Sequence, residues 1–112
     1  MTNRLDTVFA AMADPTRRAV IERLVTGGPA AVSDLHAPHD IALPTFLRHL
    51  KVLERSGLVR SEKTGRVRTV HLEAVPLAEA EGWLHQQRRI WDGRLDRLAQ
   101  LAETLERETK DD

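Results

Sequence analysis

The order of apolar and polar positions divides this chain into four short helices, one hairpin and one long helix. Leu5, Val8, Phe9 and Met12 recur at helical spacing and predict a first helix over residues 4–13. Asp14-Pro15 restarts the chain, with Asp14 as N-cap and Pro15 in the first turn. Ala19, Val20 and Leu24, with Ile21 and Val25, carry a second helix to Thr26, and Gly27-Gly28-Pro29 ends it. Ala31-Val32 reads as a brief extended piece. Ser33 reads as the cap of a third helix over residues 34–38, with Leu35 facing inward. Pro38-His39-Asp40 then turns the chain into a fourth helix. Its apolar stripe is Phe46, Leu50 and Leu53; Pro44 fits its first turn, and Gly57 suits the left-handed position past its end.

The short interval between the third and fourth helices matches a helix-turn-helix. A rotation of ~100° per residue places Arg48, Lys51 and Arg55 opposite the stripe. Any solvated helix can show that pattern, so the following segment carries weight. Leu58 to Lys63 alternates loosely, Thr64-Gly65 makes a tight turn, and Arg66 to Leu72 alternates cleanly with Arg66 and Arg68 leaning outward. A hairpin with a basic tip directly after a helix-turn-helix is a wing. The expected fold is mainly α with a small β-hairpin: a winged helix-turn-helix with a long C-terminal dimerisation helix.

Pro76 opens the last helix, expected to run to about Arg107, with Lys110-Asp111-Asp112 as a frayed polar end. Leu77, Leu84, Trp91, Leu98 and Leu105 lie seven apart, flanked by Ala80, Trp83, Ile90, Leu95, Leu101 and Ala102. Some 30 residues make a rod of roughly 45 Å, long for covering a domain of this size from one side. A seven-residue repeat favours a seam with a second copy of the chain over a helix folded back on its own domain. The expected organisation is a single winged-helix domain over residues 1–112. It has a core at 4–75, a wing at 58–72 and a dimerisation helix at 76–107.

Net charge is zero, but its distribution is uneven. Residues 42–70 hold seven Lys/Arg against two acids, whereas residues 71–112 hold six against ten. A basic centre beside an acidic last third is an electrostatic footprint for nucleic acid. The chain has 112 residues and no Cys, which excludes disulfides, thiolate metal sites and a Cys nucleophile. No apolar run approaches the length needed to cross a bilayer. Met1-Thr2-Asn3-Arg4 leads straight into an amphipathic pattern, so no signal peptide is expected and the chain reads as cytoplasmic.

Two long motifs resemble a known family. They are Leu5-Asp6-x-Val8-Phe9-Ala10-Ala11-x-Ala13-Asp14-Pro15-Thr16-Arg17-Arg18 and Leu43-Pro44-x-x-x-x-His49-Leu50-Lys51-Val52-Leu53-Glu54-x-x-Gly57-Leu58-Val59. Together they resemble the ArsR family of winged-helix transcriptional repressors. The Trp83-Leu84, Trp91 and Arg94-Leu95-Asp96-Arg97-Leu98 end is similar to its SdpR-like branch of autorepressors. The resemblance implies a homodimer built on the first and last helices, presenting two recognition helices to one operator. Positions 42 and 47, often Ser in the family, are Ala42 and Leu47 here. Ala42 removes a hydroxyl. Leu47 flanks the exposed face, where it either touches a thymine methyl or widens the buried stripe, and the second is expected.

Relatives that sense metals use Cys pairs in the third helix or Asp/His sets in the last. Here the third-helix segment has no Cys, and His85 is the only His in the last helix. Asp34, His36, His39 and Asp40 offer four donors in seven residues, but they straddle Pro38 on a turn where such residues are commonly solvated, so no metal or other cofactor is expected. Ser33, Ser56 and Ser61 stand where caps and strand residues belong, and Gly27-Gly28 ends a helix rather than cradling a phosphate. No catalytic residue is expected.

The expected function is sequence-specific binding of double-stranded DNA as a dimeric repressor at a two-fold operator, with no small-molecule ligand or membrane partner. DNA contacts fall to Thr45, Arg48, His49, Lys51, Arg55, Lys63, Arg66 and Arg68; dimerisation falls to Leu5, Phe9, Trp83, Leu84, Trp91, Leu95 and Leu98. Two rival readings remain: a winged-helix protein-interaction module without DNA binding, and a repressor answering to a ligand or metal.

Overall fold

A computed structural model describes residues 4–110; the expected leaderless start at residues 1–3 and the end at Asp111 and Asp112 lie outside the described residues. The elements are α1 (Arg4–Ala11), α2 (Pro15–Gly27), β1 (Ala30–Ala31), α3 (Val32–His36), α4 (Leu43–Arg55), β2 (Val59–Thr64), β3 (Val67–Leu72) and α5 (Ala74–Lys110). The chain divides into two units, Met1–Ala80 and Glu81–Asp112.

In the first unit, each helix end has a local cause. Asp14 is extended at the N-cap of α2, and its Oδ2 accepts from the Arg17 amide at 3.1 Å. At the end of α4, Leu58 N–H donates to Leu53 at 3.1 Å and Gly57 N–H to Glu54 at 3.0 Å. With Gly57 at φ +81°, this is a Schellman stop, and only Gly adopts that backbone without strain. The Ser56 hydroxyl, buried under the same turn, donates to the Leu53 carbonyl at 2.8 Å.

Several boundaries differ from expectation. Helix α1 ends at Ala11 rather than residue 13, and α3 starts at Val32 with no side-chain cap. Ser33 therefore lies inside the first turn of α3, where its carbonyl accepts from Ala37 N–H at 3.0 Å. The extended piece is Ala30–Ala31, one residue earlier than read. It pairs with β3 (Ala30 with Val70, Ala31 with Thr69), so Ala31 ends a strand and opens a helix with one extended conformation. Helix α5 begins two residues before Pro76, which still falls in the first turn where its missing N–H is harmless. The same helix is regular through Lys110, expected to fray.

The sheet is antiparallel with order β1-β3-β2. Thr64 pairs with Val67, so the two-residue loop is Gly65-Arg66 rather than Thr64-Gly65. Gly65 has φ +63°, the sign a II′-type hairpin turn needs at its first loop position. Phe46, Leu50 and Leu53 of α4 bury with Val8, Val20, Ile21, Leu24, Leu35, Leu58, Val59 and Val70. Val25, read as part of the apolar face of α2, is 61% exposed. Leu5 packs half-buried against the core, whereas Phe9 is exposed. Pro76 and Ala80 bury too, and the first unit therefore extends past the start of α5.

The described part of the second unit is helical throughout. Trp83, Leu84, Ile90, Trp91, Leu95, Leu98, Leu101 and Leu105 are all exposed on it, from 43% to 61%. Among the described residues no helix is long and apolar enough to cross a membrane.

Candidate nucleic-acid interface

Helix α4 is the strongest amphipathic element, and its apolar back fixes what its front can show. With Phe46, Leu50 and Leu53 buried, Arg48, Lys51 and Arg55 stand exposed and Thr45 is half-buried beside them. Arg55 borders a groove it shares with Arg17 and Ala10. Leu47, expected to widen the buried stripe, is 43% exposed instead. Phe46 and Leu50 on either side of it are buried, while Leu47 lines the cleft between α4 and the wing.

His49 is half-buried and tied into the fold. Its Nδ1 lies 3.1 Å from Nη1 of Arg17 and 3.7 Å from Oδ2 of Asp14. Arg17 also donates from Nε to the Ala11 carbonyl at 2.5 Å and from Nη2 to Ala10 at 3.1 Å, which satisfies the open end of α1. One guanidinium thus joins α1, α2 and α4. Burial raises the pKa of Asp14, but the Arg17 amide and the charge of His49 outweigh it and hold the carboxyl below its ordinary value. Arg17 lay within the motif Asp14-Pro15-Thr16-Arg17-Arg18, but nothing in the sequence pointed it at His49.

The wing places one of its cations beside α4. Arg68 shares a strand face with Val70, and both line a cleft of about 240 Å³ against α4 together with Leu47, Lys51, Glu54 and Ser61. Arg68 is exposed, as expected, although it lies on the same strand face as the buried Val70, and Val67 on the other face is more than half exposed. From the α4 side, Arg68 Nη1 donates to Ser61 Oγ at 3.0 Å, and the Ser61 hydroxyl donates to Glu54 Oε1 at 2.6 Å. This chain links the last turn of α4 to both strands of the wing. Lys63 pairs directly opposite Arg68, and Arg66 is exposed in the hairpin loop.

The opposite face of the hairpin carries its own ion pairs. Arg60 meets Glu62 and, at 2.6 Å, Glu73, while His71 lies 3.7 Å from Glu62. The hydrogen bond that Arg60 donates to Glu62 leads the causes that hold its proton more tightly than usual. The basic side chains of this segment therefore divide into two groups: Arg60 is neutralised on the outer face, while Lys63 and Arg68 stand together on the face toward α4.

The two histidines weighed for zinc have other contacts. His36 Nε2 lies 2.7 Å from the Ile41 carbonyl, and the rings of His36 and His39 pack on Phe46 with centroids 5.1 and 5.7 Å away. Among the described residues no three His, Asp or Glu side chains converge as a metal site would require.

A helix-turn-helix followed by a cationic antiparallel hairpin defines the winged helix-turn-helix class. A helix-turn-helix domain model matches residues 12–62. The HTH-type transcriptional regulator Rv2034 of Mycobacterium tuberculosis is 36% identical over 99 residues, which cover 88% of this chain and 89% of that protein. The transcriptional repressor SdpR of Bacillus subtilis is 26% identical over 80 residues, 71% of this chain and 88% of that one. Among solved structures, an ArsR family transcriptional regulator, RHA00566, is similar with a TM-score of 0.76 and 49% identity, covering 80% of this chain and 98% of that one. This chain belongs to the ArsR family of winged-helix transcriptional regulators.

Proposed function

We propose that this regulator is a homodimeric, sequence-specific repressor that grips a two-fold DNA operator and does not sense metals. The observation that carries the DNA reading is the register of the wing, in which Lys63 lies opposite Arg68 beside the cationic front of α4. Like charges facing each other across two strands destabilise a free hairpin. Against phosphate the same pair becomes favourable, because each cation releases condensed counterions. Thr45, Arg48 and Lys51 enter the major groove, while Arg55, Lys63, Arg66 and Arg68 hold phosphates or reach the neighbouring minor groove. His49 contributes by orienting α4 through Arg17.

The exposed heptad of α5 supports the homodimer. A strip of Leu and Trp at this spacing is unfavourable in water and suits a helix–helix seam. The name of the B. subtilis relative, a transcriptional repressor, supports the sign of regulation. The absence of Cys from the sequence and the lone His85 on α5 support a repressor that answers to no metal.

A mobility-shift titration with the DNA upstream of the protein's own gene tests the reading. One retarded complex holding two chains, unchanged by added zinc, is the expected result. No complex at any salt concentration defeats the proposal, and release of the DNA by zinc defeats its metal-free part.

A further inference from the structure

We infer that Leu47 is a specificity-determining residue that reads the 5-methyl group of a thymine in the major groove. The inference rests on the DNA-binding reading above and says what one position of each half-site must contain. Leu47 lies on the wing side of the α4 front, where it lines the cleft together with Lys51 and Arg68. It is 43% exposed, one turn after Leu43 at 45%, so the front of α4 carries a short apolar strip beside its cations. Its two apolar neighbours in sequence order, Phe46 and Leu50, already fill the core, so Leu47 remains at the surface when α4 docks.

The chemistry of the groove then narrows the choice. Base edges in the major groove offer nitrogen and oxygen donors and acceptors, and one apolar group, the thymine methyl. A leucine pressed on a purine edge or on a cytosine amino group would strip water from it and return no hydrogen bond, which is costly. Against a thymine methyl both partners lose apolar surface to water, which is favourable. The polar wall across the cleft, Glu54, Ser61 and Arg68, is already joined by hydrogen bonds of 2.6 and 3.0 Å. These bonds tie the wing to α4 beside Leu47.

The test uses the full chain and a random-sequence duplex library. Sites enriched by the protein are resynthesised with uracil replacing thymine one position at a time, which deletes only the methyl. One thymine in each half-site is expected to lose about fourfold in affinity on that replacement, the effect of one buried methyl. Leu47→Ser is expected to bind the thymine and uracil duplexes equally at that position while keeping its far-ultraviolet circular dichroism. Equal binding of both duplexes by the unaltered protein at every thymine overturns the inference while leaving DNA recognition intact. A thymine preference that persists unchanged in Leu47→Ser also overturns it. Failure to enrich any sequence overturns the DNA-binding reading itself, and this inference with it.

Discussion

Arg17 Nη1 and His49 Nδ1 lie 3.1 Å apart, and their bond ties the first turn of α2 to the middle of α4. Because the same guanidinium also closes α1 at Ala10 and Ala11, its loss would free two helix-end carbonyls and loosen α4 at once. Arg17→Ala is expected to cost about 1–3 kcal/mol, and His49→Ala less. In a double-mutant cycle read by urea denaturation the two should couple, since each removes the other's partner. Val25→Ala, at an exposed position of the same helix, should stay within about 0.5 kcal/mol. Additive effects of Arg17 and His49 would contradict the clamp.

Asp14 gives the fold an acid-sensitive element. Its carboxyl is held below the ordinary value of 3.8, so the folded state favours the charged form. The stability this contributes is complete above the unfolded value of about 3.9 and is lost as pH falls through the lower folded value. Asp14→Asn keeps a capping oxygen but cannot titrate. Urea midpoints between pH 6 and pH 3 should therefore fall more for the unaltered protein than for the variant. Parallel curves would remove Asp14 from the account.

Much of this architecture was legible in the sequence because its signals are local. Pro44 and Gly57 bracket α4, Asp14-Pro15 opens α2, and the period of Phe46, Leu50 and Leu53 sets which face buries. The errors came where tertiary pairing decides. Ser33 looked like a cap, but β1 pairing with β3 carries the chain into α3 earlier. Arg68 is exposed as its place near the hairpin tip suggested, but its bond to Ser61 depends on the pairing of β2 with β3, which the alternation of one strand does not reveal. Leu47 is apolar and lies at the edge of the stripe, where a rotation of ~100° per residue cannot separate half-buried from exposed.

Helix and wing cations should differ in what their loss does. Arg48→Ala is expected to cost about 1–3 kcal/mol per site on the preferred sequence and to relax preference at one position of each half-site. Arg66→Ala, exposed at the hairpin loop, should weaken preferred and random duplexes by similar factors. Competition titrations with both kinds of DNA check this sorting. If the two variants behave alike, the division between groove and backbone contacts is wrong.

The proposed dimer makes a prediction about length. Removing the chain from Trp91 onward deletes Trp91, Leu95, Leu98, Leu101 and Leu105, each roughly half exposed in the single chain. Pairing would bury about half of each, or roughly 4–7 kcal/mol per chain before entropy is subtracted. The truncated protein should sediment as a monomer and bind a two-fold operator poorly, and Trp91→Ala should show the same tendency more weakly. A full-length chain of 12.6 kDa sedimenting as a monomer at micromolar concentration would exclude the seam.

The salt dependence of DNA affinity tests the central claim most directly, because the contacts proposed for Arg55, Lys63, Arg66 and Arg68 act largely through phosphate. Fluorescence anisotropy with a labelled duplex, repeated from 50 to 200 mM salt, gives the slope of log K against log salt. With about 6–8 cations of a dimer on the backbone, the slope should be about −5 to −7. A flat response, or no binding at the lowest salt, would contradict the assignment of this cationic face to DNA.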